Sequence, residues 1–136
     1  MAYVTEAQIK TAIPAVHLTD ALDDDRDGAA DTGKLTEVIA QGSQQVDALL
    51  ESRYTVPFVT VPKKVAEAAF VFVCELLYQR RGLFDKENPW FTRAEQWRKS
   101  LEKIGNGEGQ IASDEEQAYT PGAAVTETAV VDDTMR

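Results

Sequence analysis

The chain has 136 residues, 43% of them apolar, and a formal net charge of −9. That is one domain's worth of sequence, with enough apolar side chains for a core. No run reaches the roughly 18 apolar residues of a membrane span, Met1 to Lys10 lacks the basic and apolar regions of a signal peptide, and the acidic balance speaks against wrapping nucleic acid, whose phosphates need a basic stripe.

Thr5 followed three residues later by Gln8 is a capping box, and a short helix can run to about Ile13 before Pro14 stops it. The acidic stretch DDDRDGAAD, residues 23–31, comes next as a loop. From about Asp31 the pattern turns helical. Leu35, Val38, Ile39, Gly42, Val46, Leu49 and Leu50 form one apolar stripe, and the helix should end near Arg53 or Tyr54. Gly42 lies on that stripe at a cost in helix propensity, which marks a close approach of another backbone. TVPFVTVP, residues 55–62, reads as extended, because each proline biases its predecessor away from helix.

Pro62 suits the first turn of the next helix, expected over about Lys63 to Arg81. That segment is apolar almost all round and should be the most buried element, with Phe72 and Leu76 fully enclosed. The single cysteine, Cys74, falls in the same run and reads as a small buried hydrophobe in a reducing compartment. Gly82 is placed as the helix stop. A further helix starts near Asn88-Pro89, turns Phe91, Ala94, Trp97 or Arg98, Leu101 and Ile104 inward, and ends at Gly105-Asn106-Gly107. Trp90 is too close to its start to bury fully. The expected fold is all-α, a small bundle over residues 1–112, with an extended acidic arm over 113–136.

The charge is segregated. Asp20 to Asp31 carries six acids and one base, Ser113 to Arg136 carries the same, and the rest of the chain is nearly neutral. Within the arm, residues 123–131 alternate and are β-branched. Val125, Ala129 and Val131 would share one face of a strand, with Thr126, Thr128 and Val130 on the other. These residues, with Tyr119 just before the Pro121-Gly122 hinge, are the expected partner-binding set, acting by strand addition to an exposed edge.

The acidic loop raises a metal question. Asp23, Asp25, Asp27 and Asp31 stand at positions 1, 3, 5 and 9 of an EF-hand-type calcium loop, with Gly28 at position 6 for the sharp turn. Position 12, which should be a bidentate glutamate, is Lys34, and Glu37 comes three residues too late. A sensor-type EF-hand is disfavoured. A weak calcium site remains open beside the blander reading, a solvated Asp-turn loop whose Asp31 caps the following helix. His17, the only histidine, has no nucleophile or metal partner in sequence and reads as turn or surface chemistry. There is no phosphate-binding glycine loop, HExxH, CxxC or nucleophile elbow, so the chain does not read as an enzyme.

The order of YVTEAQI, the DDDRDGAAD loop, VDALLESRY, VPFVTVPKKV, LLYQRR and WRKSLEKIGNGEGQI resembles the small head–tail connector (adaptor) proteins of tailed phages, particularly the Mu-like branch. The resemblance covers residues 2 to 112. It implies a four- or five-helix virion subunit, made in the host cytoplasm, that forms a ring, typically twelve-fold, beneath the portal protein. Such a ring extends the DNA channel, passes double-stranded DNA without reading its sequence, and docks the next neck or tail protein. It also implies a fold-supporting role for the loop through Asp23, Asp25, Asp27, Gly28 and Asp31. A neck stopper or tail-completion protein is the alternative within structural proteins, and a small calcium-binding module the alternative outside them.

Overall fold

A computed structural model describes residues 2–109, and within them the chain forms five α-helices and one short 3-10 turn. The all-α bundle expected from the periodicity is what forms. Helix α1 (Glu6–Ala12) opens with the predicted capping box: the Gln8 amide donates to Thr5 Oγ1 at 3.2 Å, and the Thr5 amide to Gln8 Oε1 at 2.9 Å. Two otherwise orphaned amides are thereby satisfied.

Pro14 ends α1 and starts the next helix. Its carbonyl accepts from the Leu18 amide at 3.0 Å, and α2 runs Ala15–Leu22 with Leu18, Ala21 and Leu22 buried. The expectation that the acidic loop follows the first helix directly is therefore corrected. A proline lacks only the N–H that a first-turn residue does not need, so it can divide two helices without leaving a gap.

Helix α3 (Lys34–Leu50) and helix α4 (Lys63–Arg80) form the central pair. Gly42 is buried at their crossing, and a Cβ there would collide with Cγ2 of Val73 and sit 3.1 Å from its backbone nitrogen. This is the close approach that the glycine on the stripe implied. The regular part of α3 ends at Leu50, short of the expected Arg53 or Tyr54; residues 51–53 form a turn, and the Tyr54 amide still donates to the Leu50 carbonyl at 2.9 Å.

The connector 55–62 lacks helix, as its prolines require, and it buries Phe58 against Tyr3 and Tyr54. Tyr3 fastens the N-terminus there. Its hydroxyl donates to Asp47 Oδ1 at 2.6 Å and accepts from the Phe58 amide at 3.0 Å, while its amide donates to the buried Ser43 hydroxyl at 3.1 Å. Burial, and then the bond to Asp47, push the Tyr3 hydroxyl pKa well above its ordinary value.

Helix α4 is the most enclosed element, with Val65, Ala68, Ala69, Phe72, Val73 and Cys74 at 0% exposure. Burial pushes the Cys74 thiol up to about 12, so the thiol is inert as well as inaccessible. Leu76 departs from expectation: it is only half-buried, like Phe70, because α2, α3 and α5 do not cover the whole circumference of α4. The helix stops at Gly82 (φ 86°), where the Leu83 amide donates back to the Tyr78 carbonyl at 3.1 Å.

A 3-10 turn, Asp85–Glu87, leads to α5 (Phe91–Gly105), whose start falls later than the Asn88-Pro89 signal placed it. Asn88 still organises the corner. It is 3% exposed, donates from Nδ2 to the Glu75 and Leu83 carbonyls, and accepts from the Trp90 amide at 2.9 Å. Ala94, Leu101 and Ile104 face the core as predicted, and Phe91, Trp97 and Arg98 line its margin. Near the C-terminus of α5, Arg53 donates to the carbonyls of Ile104 and Gly109, a cation where the helix dipole favours one. The arm residues Tyr119, Val125, Thr126, Thr128, Ala129, Val130 and Val131 lie outside the described residues.

Candidate functional site

The loop after α2 is built from aspartates that accept bonds from its own backbone. Asp23, at the end of α2, takes the Asp27 amide on Oδ1 at 3.1 Å and the Gly28 amide on Oδ2 at 2.8 Å. Asp25 Oδ1 accepts from the Asp27 amide at 3.2 Å, and Asp27 Oδ1 from the Ala29 amide at 2.9 Å. Asp31 Oδ2 takes the Asp24 amide at 3.1 Å, and its own amide reaches the Leu22 carbonyl at 2.9 Å, which closes the loop onto α2. Left-handed backbone at Arg26 (φ 61°) and Gly28 (φ 86°) makes the reversal. Only the second is cost-free, since glycine has no Cβ to clash.

The four predicted ligands come together. One carboxylate oxygen from each of Asp23, Asp25, Asp27 and Asp31 lies within 4.8 Å of the others. Oxygens on opposite sides of a calcium ion are about 5 Å apart, at roughly 2.4 Å from the metal each, so the set fits one such ion. Crowding is visible in the protonation of the pair at its centre. The Asp25 carboxyl is held above the ordinary aspartate range by its hydrogen bond with Asp23, then by partial loss of water. Asp23 moves the other way: desolvation raises it, but the amides of Gly28 and Asp27 together outweigh that and lower it.

Lys34, at the twelfth loop position, supplies no ligand, but its ammonium pairs with Asp24 at 3.5 Å and Glu37 at 3.6 Å rather than with the four acids. Asp24 is the junction of the loop with the bundle. Its Oδ1 takes Arg80 Nη2 at 2.5 Å, and Arg80 Nε also donates to the Ala21 carbonyl at 2.7 Å. The Arg80 hydrogen bond, foremost, holds the Asp24 carboxyl below its usual range. Asp31 does not cap α3, as the turn reading expected. The cap position is Gly33 in left-handed backbone with no side-chain bond, and Asp31 is used inside the loop.

His17 is not in a turn. It sits on α2, half-buried, with Nδ1 2.9 Å from the Tyr78 hydroxyl and its ring edge-on to that tyrosine, a helix-packing contact. The polar feature the sequence reading missed is Glu75 on α4. It is 2% exposed and held by Arg98 through Oε1 at 2.8 Å and Oε2 at 3.0 Å, with Glu95 as the second partner of that arginine. The signal was an acid set within the apolar run from Ala68 to Leu77, opposite an arginine on the inner stripe of the next helix.

The family described as Bacteriophage Mu, Gp36 matches residues 3–130, and no curated protein matches the chain. With almost its whole length covered, the chain belongs to that bacteriophage family.

Proposed function

From its place in that phage family, we propose that the chain is a virion structural protein, a head–tail adaptor whose copies form a ring beneath the portal and dock the next neck or tail protein. The observation that carries the reading is the family match over residues 3–130, which spans the helical bundle and most of the arm. The adaptor role itself rests on the order and spacing of the motifs from YVTEAQI to the α5 segment. Two features of the molecule are in keeping with it. Outside the loop and the arm the charges nearly cancel, so copies can pack without mutual repulsion. The bundle also exposes Val16, Val59 and Phe84, apolar side chains that a neighbouring subunit could cover.

The test is the native mass of the protein alone and mixed with portal particles. An adaptor joins the portal as a ring of defined count. A protein that leaves the portal unloaded but binds assembled necks or tail ends is a stopper or tail-completion protein, and the adaptor reading falls.

A second reading concerns the loop, and the convergence of four carboxylates favours it. A calcium ion there would offset the mutual repulsion of the four carboxylates, and bind weakly because the bidentate twelfth ligand is missing. Millimolar calcium should then raise the melting temperature relative to chelator. Asn at 23, 25 and 27 together should abolish that rise while keeping the turn, because the amide oxygen still accepts the backbone N–H bonds. Equal melting with calcium and chelator would leave the loop a turn.

A further inference from the structure

A groove of about 760 Å³ runs between α1, the first half of α4 and the first half of α5. Its walls are mostly small or apolar: Ala7, Ala12 and Ala66 leave it wide, and Phe70 and Trp97 provide flat faces. Trp90 stands edge-on against Phe70, ring centres 5.7 Å apart, and Arg93 lies over the Trp90 ring at 4.6 Å. Phe70 is one of the two large apolar α4 side chains that the bundle leaves half-covered.

We propose that this groove holds the chain's own C-terminal segment, around residues 123–131, in the free subunit. Three observations select that occupant. The first is fit. AAVTETAVV offers only alanine, valine, threonine and one glutamate, side chains short enough for a groove walled by alanines and floored by aromatic rings.

The second is charge. Arg93 has no carboxylate partner among the described residues, and neither has exposed Lys63, one turn before the groove residues Ala66 and Glu67. Against these two cations and Glu67 stands a segment, 113–136, with six acids and one base. The acids flank the apolar stretch at Asp114 to Glu116 and at Asp132 and Asp133, so they would lie at the rims while the valines enter the groove.

The third is reach. The described chain ends at Gly109, beside the C-terminus of α5, and the groove lies along the other half of that helix, about 18 Å away at 1.5 Å per residue. Val125 lies sixteen positions beyond Gly109, and an extended chain of that length spans roughly 50 Å. Tethering sets the local concentration of the segment near the millimolar range, so in dilute solution it outcompetes the same segment of a second copy. Partners that use the arm must first draw it out of the groove. The proposal concerns the isolated subunit and stands or falls independently of the portal reading.

The full-length chain tests it directly. Thr11 is exposed and lines the groove, Gln41 is exposed on α3, away from the lining, and the native Cys74 is buried. In the pair Thr11→Cys with Val125→Cys, mild oxidation of the dilute protein should form an intrachain disulfide, in roughly tenfold higher yield than Gln41→Cys with Val125→Cys. Both tryptophans of the chain are at the groove. Val125→Asp with Ala129→Asp should therefore shift their emission to the red without changing the helical melting transition. Equal yields at the two positions, disulfides that join separate chains only, or unchanged tryptophan emission would each overturn the proposal; the second result would give the groove to another copy.

Discussion

The α3–α4 crossing and the acidic loop are held together by opposite means. At the crossing, Val46, Leu50, Phe72 and Val73 are fully enclosed, and Gly42 lets two backbones approach. The stabilising quantity there is apolar area removed from water, which does not depend on pH or ions. In the loop nothing apolar is buried from Asp23 to Gly33; the shape comes from carboxylates accepting amide bonds and from Arg80 and Lys34 on Asp24. A region of the first kind fails when atoms are removed. A region of the second kind changes when protons or cations arrive.

The sharpest way to break the contrast is Phe72→Ala. It should cost about 3–5 kcal/mol, since the surrounding helices cannot collapse into the space, and denaturant unfolding measures it. Melting within a degree or two of the parent would show that α4 is not the centre of stability. Next is Arg98→Ala, which leaves the Glu75 carboxylate buried with its main partner gone. The expected loss is about 3 kcal/mol at neutral pH, and Glu75→Gln in the same background should recover part of it, because the buried charge is then removed. No recovery would mean that Arg98 acts through packing on Phe72 alone.

Gly42→Ala is a smaller test of the crossing. The added methyl meets backbone as well as the Val73 side chain, so the helices must separate, at about 2 kcal/mol. An unchanged midpoint would show that the crossing is looser than its geometry.

The smallest effect belongs to the loop, and it has a sign. Asp24 is depressed below its unfolded value, so its contribution is present above that value and disappears as pH falls through the lower, folded one. Asp24→Asn should therefore be less stable than the parent near pH 6, and the gap should close on acidification below about pH 4. Asp25 works against it. Its raised carboxyl costs stability at neutral pH, a cost that protonation removes. A gap that persists unchanged at low pH would assign Asp24 a role other than its ion pairs.

Much of the bundle was legible in local chemistry. The Thr5–Gln8 box, the stripe from Leu35 to Leu50, the apolar run ending at Gly82 and the GNG stop after Ile104 all depend on neighbours within one or two turns, and all appear where the spacing placed them. The four loop aspartates were legible for the same reason, since a tight turn brings residues two apart to one side. Helix α2 was not, because Pro14 was read as a stop when it is a stop and a start. Leu76 was not, because its exposure depends on which neighbours reach around α4. The sequence alone settled where helices form and which residues make the loop, through interactions that decay within a few residues. The tertiary structure alone decided that Glu75 meets Arg98, that Asp24 meets Arg80 and Lys34, that Asp31 serves the loop instead of capping α3, and that an aromatic groove stays open along α4. Each depends on how separate helices approach in space, which one-dimensional spacing does not contain.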